Sequence, residues 1–113
     1  MIYILILLNI LMLVTGQILW KVAVANVDTW TLQKAISVLL SPFFIGGGIL
    51  YVLATGLWLV ILSKLPLSIA YPFQSISYVL GAIAAFLIFK ETVTAQQWFG
   101  IFVIIIGVYF IAR

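Results

Sequence analysis

Long apolar runs alternate with short polar connections along this chain, and four of the runs, at about residues 2–24, 43–63, 66–89 and 95–112, are long enough to cross a bilayer as helices. A span needs about 20 predominantly apolar residues. The second begins just after Ser41-Pro42, where proline suits a first helical turn, and the fourth follows Thr94 and Gln97 at capping-box spacing. Only 26–40 makes a sizeable polar connection, and within it Leu32, Ile36 and Leu39 or Leu40 predict a short amphipathic helix lying on the membrane surface. The expected fold is therefore an all-α membrane protein of four transmembrane helices, with residues 1–113 forming one domain. The apolar N-terminus lacks the basic start and small-residue cleavage site of a signal peptide, so it is expected to be a retained helix.

Polar positions interrupt this pattern in two places. Ser68, Tyr71, Gln74, Ser75 and Tyr78 recur at three- and four-residue spacing in the third span, which on one continuous helix sets them along one face. Such a face must turn toward protein, water or a ligand, because an unsatisfied polar group in hydrocarbon costs several kcal/mol. In the first span Asn9, Gln17 and Lys21 fall at multiples of four. Lys21 can snorkel to the interface, or it can set an ammonium in the headgroup plane, where a lipid phosphate lies. Gln17, one turn deeper, could hydrogen-bond a phosphate or sugar oxygen.

Composition confirms the class and narrows the chemistry. With 67% hydrophobic and 6% charged residues, the chain has too little polar surface to dissolve alone. It has no Cys and no His, which excludes disulfides, thiolate metal sites and near-neutral proton relays. Neither metal nor cofactor is expected, no motif points to ATP hydrolysis or nucleic acid, and no enzymatic activity is expected. Asp28 and Glu91 both fall in connections, so no carboxylate lies within a span to pair with an organic cation or exchange protons. Glu91 can form a loop ion pair with Lys90, favour the start of the fourth helix, or touch a headgroup.

Four spans put both termini and Lys64 on one side and Lys21, Lys34 and Lys90 on the other. Two basic residues against three is a weak orientation signal. Insertion in both orientations with antiparallel pairing, and a fixed orientation set by a partner, are both open. So small a bundle encloses little, and a dimer is expected, homomeric or with a paralogue. Gly100 and Gly107, seven residues apart on one face of the fourth helix, would let another backbone approach. Gly46, Gly47, Gly48 and Gly56 are expected to serve close packing or bending. Trp20, Trp30, Trp98, Tyr3 and Tyr109 lie near span ends as interfacial aromatics do. Trp58, inside the second span, can pack against lipid or stack on a sugar.

Taken in order, Gly16-Gln17 with Lys21, Leu57-Trp58, Pro66, Ile69-Ala70-Tyr71-Pro72, Glu91-Thr92-Val93, Trp98, Gly100 and Gly107 resemble the small subunits of the 4-amino-4-deoxy-L-arabinose-phosphoundecaprenol flippase. These belong to the drug/metabolite transporter superfamily, with the small multidrug resistance transporters. The resemblance covers nearly the whole chain and implies a small multidrug resistance-like bundle in the bacterial cytoplasmic (inner) membrane, with Gly100 and Gly107 at the dimer contact. It also implies a substrate class, a polyprenyl (undecaprenyl) phosphate-linked monosaccharide; the residues' own chemistry then sets the phosphate at Lys21, with Gln17, the sugar hydroxyls at Tyr71, Gln74, Ser75 and Tyr78, and the tail in the surrounding lipid. Anchored on Lys21, the essential first-helix glutamate of the multidrug exporters aligns with Leu13, and their third-helix tryptophan with Gln74. The alternatives are an exporter of organic cations, and a non-transporting accessory subunit of a membrane glycosyltransferase.

Overall fold

A computed structural model describes residues 1–112. The order is α1 (Ile2–Val24), α2 (Leu32–Leu39), α3 (Pro42–Lys64), α4 (Leu67–Phe73), α5 (Ile76–Leu87) and α6 (Ala95–Ala112). Four membrane-length apolar segments result: α1, α3, α4 with α5, and α6. Local chemistry starts three of the helices. The Ser41 hydroxyl accepts from the Phe43 N–H with Pro42 in the first turn of α3, and Thr31 Oγ1 accepts from the Lys34 N–H ahead of α2. At α6 the Thr94 N–H donates to Gln97 Oε1 at 2.8 Å while the Gln97 N–H donates to Thr94 Oγ1 at 3.2 Å, a reciprocal capping box.

The third span departs from the single helix expected of it. Pro72 has no N–H to give the Ser68 carbonyl, and its ring crowds the preceding turn. The chain passes the break through tighter i→i+3 bonds, from the Gln74 N–H to the Tyr71 carbonyl and from the Ser75 N–H to the Pro72 carbonyl, both 3.0 Å. Ser75 Oγ donates to the Pro72 carbonyl and Ser77 Oγ to the Gln74 carbonyl, each at 2.6 Å. Each hydroxyl thereby satisfies its own donor by sharing a carbonyl that already accepts a backbone N–H, the Ser75 N–H at Pro72 and the Ser77 N–H at Gln74.

Packing centres on α1 against α3. A Cβ at Gly16 would lie 3.2 Å from the Gly47 carbonyl oxygen, and one at Gly47 would lie 2.9 Å from the Gly16 carbonyl oxygen. The two backbones cross in contact there because neither carries a side chain. Toward the N-terminal end of α1, Ile6, Ile10, Ile61, Ala70 and Phe73 form the buried core. α6 packs on α4 and α5 yet buries none of its own residues. Trp20 is not a lipid-facing interfacial ring: it stacks on Phe44 and on Tyr51 and donates its indole N–H to the Phe44 carbonyl at 3.1 Å.

Candidate functional site

On α1, Asn9, Leu13 and Gln17 follow at four-residue intervals and share a face. Tyr51, Thr55 and Trp58 answer them from α3, and Tyr71, Gln74, Ser77 and Tyr78 from the broken span. Between the three lie two cavities, of about 360 Å³ and 470 Å³, that share Leu13, Tyr51 and Gln74. Together they make one groove along α1. The lower cavity adds Asn9, Thr55, Trp58 and Tyr71; the upper adds Gln17, Ser77, Tyr78 and Gly81. Tyr71 and Tyr78 are 61% and 68% exposed, so the groove opens sideways. The helix break positions Gln74 between the two cavities.

Charge is absent from the lining: among the described residues it consists of amides, hydroxyls, aromatic rings and aliphatic groups. Leu13 occupies the shared middle. Gln17 Nε2 donates to the Tyr51 hydroxyl over a long 3.4 Å, and the Tyr51 ring is held by Trp20, with centroids 4.8 Å apart and planes 14° from parallel. Trp58 and Tyr71 stand as a tilted pair, centroids 6.4 Å apart. Asn9 is wholly buried at the groove floor, and neither its Oδ1 nor its Nδ2 has a hydrogen-bond partner among the described residues. An unpaired buried polar group costs about 1–3 kcal/mol, so Asn9 is held in a state that a hydrogen-bonding ligand would relieve.

Lys21 lies one helical turn beyond Gln17, outside both cavities, with its ammonium 3.9 Å from a Glu91 carboxylate oxygen. Both side chains are about half exposed, and such a pair contributes at most about 1 kcal/mol. Glu91 is presented by a turn in which Lys90 takes a left-handed conformation, φ 55°, and the Glu91 N–H donates to the Ala85 carbonyl. Glu91 also borders a separate cleft between α5 and α6, with Thr92, Gln97 and Gly100.

Of the residues expected to share a site, Asn9, Gln17, Trp58, Tyr71, Gln74 and Tyr78 meet along the groove. Ser68 does not: it is exposed and lines neither cavity. Ser75 lines neither and spends its hydroxyl on Pro72; the helix break turns Ser77 into the groove instead. Glu91, for which a loop ion pair with Lys90 was one expectation, pairs instead with Lys21. A Cβ built at Gly100 or Gly107 would meet no other part of the described chain within 4 Å. Sequence reasoning missed Tyr51, which touches both cavities, and Thr55. Their signal was present as Tyr51, Thr55 and Trp58 at i, i+4 and i+7 of an otherwise apolar span.

Comparison with known proteins places this architecture. The chain matches the EamA-like transporter family over residues 1–113. It is 37% identical over 109 residues, 92% of this chain and 90% of the relative, to a protein of Pseudomonas fluorescens named "Probable 4-amino-4-deoxy-L-arabinose-phosphoundecaprenol flippase subunit ArnE". Proteins of the same name from Hamiltonella defensa and Proteus mirabilis are 38% and 36% identical, covering 94% and 96% of this chain and 91% and 94% of their own lengths. No solved structure matches.

Proposed function

Because the chain belongs to the EamA-like transporter family, we propose that it is a flippase subunit that carries an undecaprenyl-phosphate-linked aminopentose across the bacterial cytoplasmic membrane. It is a multi-pass membrane transporter, not an enzyme. The relatives' names supply the substrate class. The observation that supports it most is the uncharged, hydrogen-bonding groove with Leu13 at its centre. A sugar is bound through many neutral donors and acceptors, which amides and hydroxyls provide. An organic cation that carries no anion of its own needs a protein countercharge in low dielectric, and among the described residues the groove offers none, whereas an aminopentose lipid brings its own phosphate.

In this reading the phosphate is met first at Lys21, which exchanges its weak pairing with Glu91 for a charge-assisted contact. The headgroup then moves along Gln17, Tyr51, Gln74 and Tyr78, exchanging water for side-chain hydrogen bonds. Its prenyl tail stays in lipid, because the groove is open on one side. A second copy, or a paralogue, packs on α6 at Gly100 and Gly107 and closes the pathway.

The test is translocation of a labelled undecaprenyl-phosphate aminopentose in liposomes carrying the protein with its partner subunit. Lys21→Ala and Gln74→Ala are each expected to slow translocation about tenfold or more, the loss equivalent to one good polar contact. Unchanged rates in both variants would overturn the site assignment, and no movement of the lipid by the unsubstituted protein would overturn the function.

A further inference from the structure

We infer that the lower cavity is the subsite for the amino-bearing edge of the sugar, with Asn9 as its hydrogen-bonding determinant and the Trp58 and Tyr71 rings as its walls. The inference rests on the flippase reading and assigns the part of the substrate that this cavity recognises. Three observations meet there. Asn9 is fully buried with both ends of its amide unpaired. The cavity above it is roomy, about 360 Å³, and bounded by the tilted Trp58 and Tyr71 rings. Among the described residues no carboxylate lines it.

An amide presents a donor and an acceptor side by side. A vicinal amino and hydroxyl pair on a sugar ring presents the complementary set, so one such edge satisfies both ends of Asn9 at once. The amine, when protonated, also finds the faces of Trp58 and Tyr71, which attract a cation through the ring quadrupole without a full countercharge. A weak, distributed attraction of this kind is what aromatic walls without a charged partner supply. Asn9 is covered in this state, so engagement includes a small outward displacement of the cavity wall.

Length separates this subsite from the rim. Asn9 and Lys21 are twelve residues apart on α1, about 18 Å at the helical rise. One sugar ring and its phosphate do not reach both. The headgroup therefore meets Lys21 and Asn9 in succession, and selection by the sugar follows capture by the phosphate.

Equilibrium binding to the protein and its partner subunit in nanodiscs, with two lipids as probes, tests this. One is the undecaprenyl-phosphate 4-aminopentose and the other its analogue with hydrogen in place of the amino group. The amino lipid is expected to bind about tenfold tighter or more. Asn9→Leu, close in volume and free of polar atoms, should bring the ratio near one by weakening the amino lipid alone while unfolding occurs at the same or higher temperature. Trp58→Leu, which keeps Asn9, should reduce the ratio in the same direction. A ratio near one in the unsubstituted protein overturns the inference, as does a ratio preserved in both variants or an equal loss for both lipids. Absence of binding of either lipid overturns the flippase reading itself.

Discussion

At residue 47 a Cβ would stand 2.6 Å from two atoms of the Trp20 indole and 2.9 Å from the Gly16 carbonyl oxygen. Neither neighbour is free to give way. The indole is stacked between Phe44 and Tyr51 with its N–H bonded, and the carbonyl belongs to the α1 backbone. Gly47→Ala is therefore expected to destabilise the protein by about 1–3 kcal/mol, as overpacking of a close contact does. Gly48→Ala and Gly56→Ala, where nothing lies within 4 Å, meet no such clash and should leave stability unchanged or raise it by up to about 1 kcal/mol, the helix-propensity gain of alanine over glycine. Unfolding in detergent micelles followed by tryptophan fluorescence would compare them, and equal effects at residues 47 and 48 would refute the crossing. The same contact links packing to the groove, because Trp20 is what holds the Tyr51 ring beside Gln17.

At the scale of elements, the broken third span is the feature that shapes the site. Pro72→Ala would return an N–H to the Ser68 carbonyl and let α4 and α5 run as one helix. Stability is then expected to hold or rise, since proline within a helix is costly. Translocation should nevertheless fall about tenfold or more, the order of loss that misplacing a positioned group produces, because Gln74, Ser77 and Tyr78 would rotate away from Gln17 and Tyr51. Circular dichroism, thermal unfolding and the liposome assay together check this; unchanged transport with a continuous helix would remove the break from the mechanism. The membrane spans were legible from the chain because length and apolarity alone decide them, and Thr94 with Gln97 announced the start of α6 directly. The groove was legible only in part. Gln17, Tyr71, Gln74 and Tyr78 could be found by spacing within a helix, but Ser68, Ser75 and Ser77 depend on the phase of a helix that breaks. Tyr51 depends on which helix α3 packs against, and that is a long-range fact which local periodicity does not encode.

At the scale of the whole molecule, α6 poses the remaining question. It buries none of its described residues, and although Gly100 borders the α5–α6 cleft, a Cβ built at Gly100 or Gly107 would meet no other part of the described chain within 4 Å. Gly100 lies five residues in from Ala95 and Gly107 five residues in from Ala112, so the two are symmetric about the middle of the helix. Two copies inserted in opposite orientations and related by a two-fold axis through that midpoint would bring Gly100 of one against Gly107 of the other at the same depth. Two copies in the same orientation would instead bring like against like. The near balance of basic residues on the two sides permits either. Because the chain contains no cysteine, single substitutions give a clean readout, and a disulfide requires Cα atoms within about 7 Å. An antiparallel dimer predicts that Gly100→Cys and Gly107→Cys proteins coexpressed in one membrane crosslink to each other more readily than either does to itself. The reverse preference would establish parallel packing. If neither combination exceeds the background given by Gly48→Cys on α3, the partner does not contact α6, and the pathway must be closed by another face.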